Sequence, residues 1–179
     1  KDRTILEYLY IKIKKEFSSS KIIIAIPSTK ENLYLKKFLE KKKLKYSTGS
    51  ELDLVSRYKK ACADINSKYI VRLTSDNPLI NLKLIKYSLK SHMNSKKIFS
   101  STRNIVKKKI YRFFPKGHSL DIINKKNLLQ INVKKLTSFE REHLIPYFYK
   151  NFECNFIKNK NLKSMLNLKP QSIDTFKDY

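Results

Sequence analysis

The sequence has only two glycines and five prolines in 179 residues. That scarcity excludes collagen-like, elastomeric and flexible-linker chains. Two cysteines, Cys62 and Cys154, are too few for a disulfide scaffold or a four-thiolate zinc site, and reduced thiols are the simplest expectation. No His/Cys spacing suits zinc. No "GxSxG" elbow is present, which argues against a hydrolase triad. No apolar run approaches the ~20 residues of a membrane span, and no signal-peptide pattern opens the chain. The expectation is a soluble, cytoplasmic protein. Acidic residues are also scarce: 15 Asp+Glu stand against 40 Lys+Arg, for a formal charge of +25.

That charge has three readings: a solvated surface, capture of an anionic small substrate, or nucleic-acid binding. The excess is nearly all lysine, in short runs such as Lys41-Lys42-Lys43 and Lys107-Lys108-Lys109. Arginine, which supplies bidentate contacts to bases and phosphates, is scarce. Lys, Ile and Asn all have A/T-rich codons, so genome composition alone would produce the bias. No RNA- or DNA-recognition motif accompanies it, and nucleic acid is not the expected partner.

With 41% hydrophobic residues the chain can build a core, and its length suits a single domain over 1–179. Helical spacing predicts helices over Thr4–Phe17, Glu31–Lys42, Leu52–Ile65 and Leu82–Met93. Apolar runs predict buried strands over Lys21–Ile26 and Tyr69–Thr74, with a shorter strand over Leu44–Tyr46 and a turn over Ser47–Ser50. Beyond residue 97 the expected strands are Ile98–Ser101, Tyr111–Phe114, Ser119–Ile123 and Cys154–Lys158. Two further helices are expected, Asn124–Ile131 and Phe139–Tyr149. The alternation argues for a three-layer α/β domain with a mostly parallel sheet, and no repeat or linker divides it.

Ligands of open α/β sheets bind beyond the C-terminal strand ends. That rule selects Pro27-Ser28-Thr29, Ser47-Thr48-Gly49-Ser50 and Thr74-Ser75-Asp76-Asn77-Pro78. Asp76 is the most informative: a carboxylate there either holds Mg2+ beside substrate phosphates or caps the turn into the next helix.

Five blocks carry a resemblance. Gly49-Ser50-Glu51-Leu52-Asp53-Leu54-Val55-Ser56-Arg57-Tyr58 resembles "GSExDVLxRY", and the stretch from Ile70 to Ile80 resembles "VRxTxDxPLI". The stretch from Phe114 to Asp121 resembles "YPxGLDVE", and that from Ser138 to Tyr147 resembles "SEREHVTPY". Ser172 to Asp178 resembles "VDTPEDL". Their order and spacing are those of the cytidylyltransferase family, which includes spore-coat polysaccharide, acylneuraminate and 3-deoxy-manno-octulosonate cytidylyltransferases.

The resemblance implies a nucleotide-diphospho-sugar transferase (Rossmann-like) fold. It also implies transfer of CMP from CTP to a hydroxyl of an acidic, nonulosonic-type sugar, with pyrophosphate released, for surface polysaccharide. Asp76 and Asp174 would hold Mg2+ as the catalytic metal pair. Nucleotide-contact candidates are Ser28, Gly49, Ser50, Arg57, Arg72 and Ser75; sugar-contact candidates are Gly117, Asp121, Arg141, Glu142 and His143. His143 is equally readable as a helix-face residue in a structural hydrogen bond, and Asp174 without the resemblance is a turn residue. A homodimer is left open, and no membrane partner is expected.

The sequence departs from the family in places. Nothing matches the family's opening strand and "RxGSxRLPxK" phosphate loop, so by that pattern the chain starts about twenty residues late. Ser75 and Asn77 stand where Gly and Cys are frequent, Asp121 where Glu is, and Phe176-Lys177 where Pro-Glu is. A non-catalytic fold relative acting as a binding or scaffold protein is the alternative, and a basic nucleic-acid module a more distant one.

Overall fold

The first helix begins at a reciprocal cap: the Glu7 amide donates to Thr4 Oγ1 at 3.2 Å, and the Thr4 amide to Glu7 Oε2 at 3.0 Å. Two otherwise orphaned donors are satisfied at once. In this computed structural model the described residues are 3–106, 109–158, 162, 166–173 and 175. In chain order they form α1 (Ile5–Glu16), β1 (Ile24–Pro27), α2 (Leu33–Lys41), β2 (Tyr46–Gly49) and α3 (Leu54–Cys62). There follow β3 (Tyr69–Arg72), α4 (Leu82–Ser95), β4 (Phe99–Ser101), β5 (Arg103–Val106) and β6 (Lys109–Arg112). The remaining elements are β7 (Asp121–Asn124), α5 (Lys125–Gln130), α6 (Ser138–Glu142), α7 (Leu144–Asn151) and β8 (Cys154–Phe156).

The chain folds as two compact units, each assembled from separated stretches. Residues 1–20, 69–123 and 152–179 make the first, and 21–68 with 124–151 the second.

In the first unit the sheet runs β3-β7-β4-β8. β4 is antiparallel to β7, with Ser101 opposite Asp121, and parallel to β8. The fold is therefore the expected α/β type, and its sheet is mixed. Leu9 of α1, Leu84 and Ile85 of α4, and Ile122 of β7 share a buried core with Ile80, Phe114, Leu120, Ile157 and Leu162. β5 and β6 form a separate antiparallel hairpin, and β6 is exposed along its length. β5 reads Arg-Asn-Ile-Val, two polar residues followed by two apolar ones, so it has no apolar alternation in the sequence.

In the second unit β1 and β2 are parallel, in register from Ile24↔Tyr46 to Pro27↔Gly49. The expected turn over Ser47–Ser50 is corrected here: Ser47, Thr48 and Gly49 continue the strand because β1 supplies their ladder partners. Pro27 ends β1, a strand position where its missing N–H is tolerated. The expected helix over Phe139–Tyr149 is broken at His143, whose φ −123° and ψ 86° are not helical. Pro146 accounts for the break, because its ring would meet the carbonyl four residues back, at Glu142.

Candidate active site

Asp76 lies just past the C-terminal end of β3, exposed, in a turn built by its neighbours. Asn77 Nδ2 donates to Thr74 Oγ1 at 2.8 Å, and that hydroxyl in turn donates to Asp76 Oδ1. The Asn77 amide closes the same turn on the Thr74 carbonyl at 3.2 Å. Ser75 is exposed beside it. The loop beyond is fastened by Lys12 of α1, whose Nζ donates to the Ile80 carbonyl at 2.8 Å and the Pro78 carbonyl at 3.4 Å. Burial lowers the Lys12 pKa from its ordinary value.

The C-terminal segment runs to this turn. The Gln171 amide donates to the Lys116 carbonyl at 2.8 Å, and the Ile173 amide to the carbonyl of Asp76 itself at 2.8 Å. Asp174 lies outside the described residues.

Gly117 has φ +92°, a left-handed conformation that glycine adopts freely. The close approach it permits is to the chain itself, since a Cβ there would sit 2.5 Å from the Gln171 carbonyl carbon. His118 is buried. Its Nε2 faces the Lys169 carbonyl at 3.0 Å, and the Asn81 amide donates to Nδ1 at 3.4 Å. Burial, ahead of the nearby positive charge of Lys12, lowers its pKa. The neutral ring with hydrogen on Nε2 satisfies both contacts.

Asp121 is fully buried. Its Oδ2 accepts from Arg72 Nη1 at 3.0 Å and Arg103 Nη2 at 2.9 Å, and its Oδ1 from Ser101 Oγ at 2.7 Å. Arg72 and Asp121, expected on the nucleotide and the sugar, are thus brought onto each other. Sequence reasoning missed Arg103 and Ser101. Ser101 is set opposite Asp121 by the pairing of β4 with β7, and Arg103 follows two residues on at the start of β5; that pairing is not visible along the chain.

In the second unit Ser28 continues the ladder past β1, its amide donating to the Gly49 carbonyl at 2.8 Å and its hydroxyl to the same oxygen at 3.0 Å. Gly49 lets the stem of Arg57 lie against the strand end: a Cβ on Gly49 would come within 3.2 Å of Arg57 Cβ. Arg57 Nη1 donates to the carbonyls of Ser50 and Glu51, while its buried Nε has no hydrogen-bond partner among the described residues. Desolvation lowers the Arg57 pKa, opposed by Tyr58, Glu51 and Asp53. Ser50 Oγ accepts the Asp53 amide at 3.1 Å, shaping the entry to α3, and Asp53 then caps α3 through the Ser56 amide at 2.8 Å.

α6 packs against α3. Its Arg141 is half-buried, with Nε lacking a hydrogen-bond partner among the described residues. Glu142 and His143 are exposed, with His143 Nε2 3.9 Å from Glu142 Oε1. The His143 ring stands edge-on to Phe139, centroids 4.8 Å apart. Among the described residues no three His, Cys, Asp or Glu side chains gather as a metal-holding group. No helix among them is long and apolar enough to cross a membrane.

The architecture is that of the α/β nucleotidyltransferases. It superimposes on a cytidylyltransferase from Leptospira borgpetersenii with a TM-score of 0.79 at 24% identity, covering 100% of this chain and 74% of that one. It also matches a 4-diphosphocytidyl-2C-methyl-D-erythritol synthase from Anaerococcus prevotii, with TM-score 0.57, 15% identity, and 98% and 85% of the two chains covered. In sequence, an uncharacterised protein of Methanocaldococcus jannaschii is 29% identical over 182 residues, 99% of this chain and 70% of that protein. The family model for cytidylyltransferases matches residues 1–177, and the chain belongs to that family.

Proposed function

We propose that the protein transfers CMP from CTP to a hydroxyl of an acidic sugar, Mg2+-dependently, for surface polysaccharide. In this reaction the sugar oxygen bonds to the α-phosphorus while the bond from that phosphorus to the bridging oxygen breaks. Pyrophosphate leaves and the hydroxyl proton passes to water. The observation that carries the reading is the hydrogen bond from Ile173, the residue before Asp174, to Asp76.

The donor chemistry at Asp76 fits the metal: an exposed carboxylate at a strand end offers hard oxygen, and Mg2+ takes one or two carboxylates with substrate phosphates and waters. Asp76 and Asp174 would hold the ion, which when bound neutralises triphosphate charge and aligns the leaving group. Thr74 orients the Asp76 carboxylate through its hydroxyl. Ser28, Gly49, Ser50, Arg57, Arg72 and Ser75 are proposed on the nucleotide side, with Arg72 acting through its fixed place on Asp121. Gly117, Asp121, Arg141, Glu142 and His143 are proposed on the acceptor side, with Gly117 and Asp121 acting by holding structure. A net charge of +25 favours capture of two anionic substrates.

The test is pyrophosphate release with CTP, UTP, ATP or GTP against a panel of nonulosonic acids and neutral sugars. Turnover is expected with CTP and an acidic sugar. CTP binding without turnover on any sugar would favour the non-catalytic alternative.

A further inference from the structure

Three backbone groups of the C-terminal segment meet the same body of the fold at alternate positions. They are the carbonyl of Lys169, facing His118 Nε2 at 3.0 Å, and the amides of Gln171 and Ile173, which bond to Lys116 and Asp76 at 2.8 Å each. Residues i, i+2 and i+4 of extended chain present their backbone groups to one side, so the segment lies as a strand-like strap without belonging to a sheet. Pro170, which has no N–H, falls at an intervening position where none is needed.

Two residues make this seating possible. The three atoms nearest a Cβ added at Gly117 are all backbone, the carbon and oxygen of Gln171 at 2.5 and 2.7 Å and the Ser172 nitrogen at 2.8 Å. Backbone at these distances cannot swing aside as the end of a flexible side chain would. His118 joins the strap to the start of α4 through the Asn81 amide at 3.4 Å. The contacts close a circuit: the loop from Asp76 to Asn81, the His118 ring, the strap from Lys169 to Ile173, and back to the Asp76 carbonyl.

We propose that His118 and Gly117 are positioning residues that clasp the strap 169–173 and thereby hold the chain entering Asp174 at Asp76. The metal consequence rests on the reading under Proposed function, whereas the clasp itself rests on the contacts above.

The experiment pairs hydrogen–deuterium exchange at the Gln171 and Ile173 amides of the unliganded protein with the Mg2+ dependence of pyrophosphate release. Wild type is compared with H118A, G117A and H118Q, the last keeping a side-chain N–H donor for the Lys169 carbonyl. H118A and G117A are expected to speed exchange at both amides by about ten-fold or more, while a core amide such as that of buried Ile157, which donates to the Ser101 carbonyl at 2.9 Å, stays protected. The Mg2+ concentration for half-maximal rate should rise at least several-fold, with kcat at saturating Mg2+ changed less and H118Q close to wild type. Should G117A not fold, the two His118 variants carry the comparison. Unchanged exchange at Gln171 and Ile173 overturns the clasp. Faster exchange with an unchanged Mg2+ requirement overturns its role in positioning the metal pair. Wild type without Mg2+-dependent turnover overturns the functional reading instead, and the exchange measurement still decides the clasp.

Discussion

Arg72 Nη1 donates to Asp121 Oδ2 at 3.0 Å, joining the strand that leads to Asp76 to the middle of the mixed sheet. The Arg72 side chain is 15% exposed and that of Asp121 0%. Arg103 shares the same carboxylate oxygen at 2.9 Å, so one buried negative charge holds two guanidinium groups. Removing it leaves two like charges facing each other with little water. Asp121→Ala should therefore cost about 3–5 kcal/mol in urea denaturation. Asp121→Asn, which keeps an acceptor, should cost less. A loss under about 1 kcal/mol for the Ala variant would show the ion network to be dispensable.

The cysteines should be inert in the folded protein. Burial pushes the Cys62 thiol up to about 11 and the Cys154 thiol up to about 12. The thiolate is the reactive form, so at about pH 8 on the order of one Cys62 in a thousand is reactive. Intact-mass analysis after iodoacetamide treatment should find native protein unlabelled and urea-unfolded protein carrying two adducts. Rapid native labelling would mean that these sites open readily.

His118 should make the strap sensitive to acid. Its folded pKa lies below its ordinary value, chiefly through burial, with the Lys12 ammonium of α1 adding repulsion. A depressed histidine contributes full stability above its unfolded value of about 6.5 and loses it as pH falls through the folded value, because the released form takes up the proton more readily. After correction for intrinsic rates, exchange at Gln171 and Ile173 should accelerate below about pH 6.5 in wild type and stay flat in His118→Gln. A flat wild-type profile would mean that the ring accepts a second proton in place.

Much of the fold was legible in the sequence where periodicity and burial agree. α1 and β3 fall within their expected ranges, and α4 starts at the expected Leu82 and runs past Met93 to Ser95, since each has an apolar face set by local spacing. What was hidden depends on partners far along the chain. Residues 47–49 are strand only because β1 lies beside them, and β5 is strand only because β6 pairs with it. The site divides in the same way. Asp76 was readable as a carboxylate at a strand end, whereas the mutual pairing of Arg72 and Asp121 needs the sheet order. Gly117 was expected as a sugar-contact residue; the close approach it permits is to Gln171.

Pyrophosphate release from CTP and an acidic sugar, titrated with Mg2+ in wild type, Asp76→Asn and Asp174→Asn, tests the central claim most directly. Both carboxamides should lower turnover by more than about 100-fold, beyond the loss that a supporting contact to a metal ligand causes, with thermal midpoints close to wild type. Turnover retained by either variant at wild-type Mg2+ concentrations would contradict the metal pair.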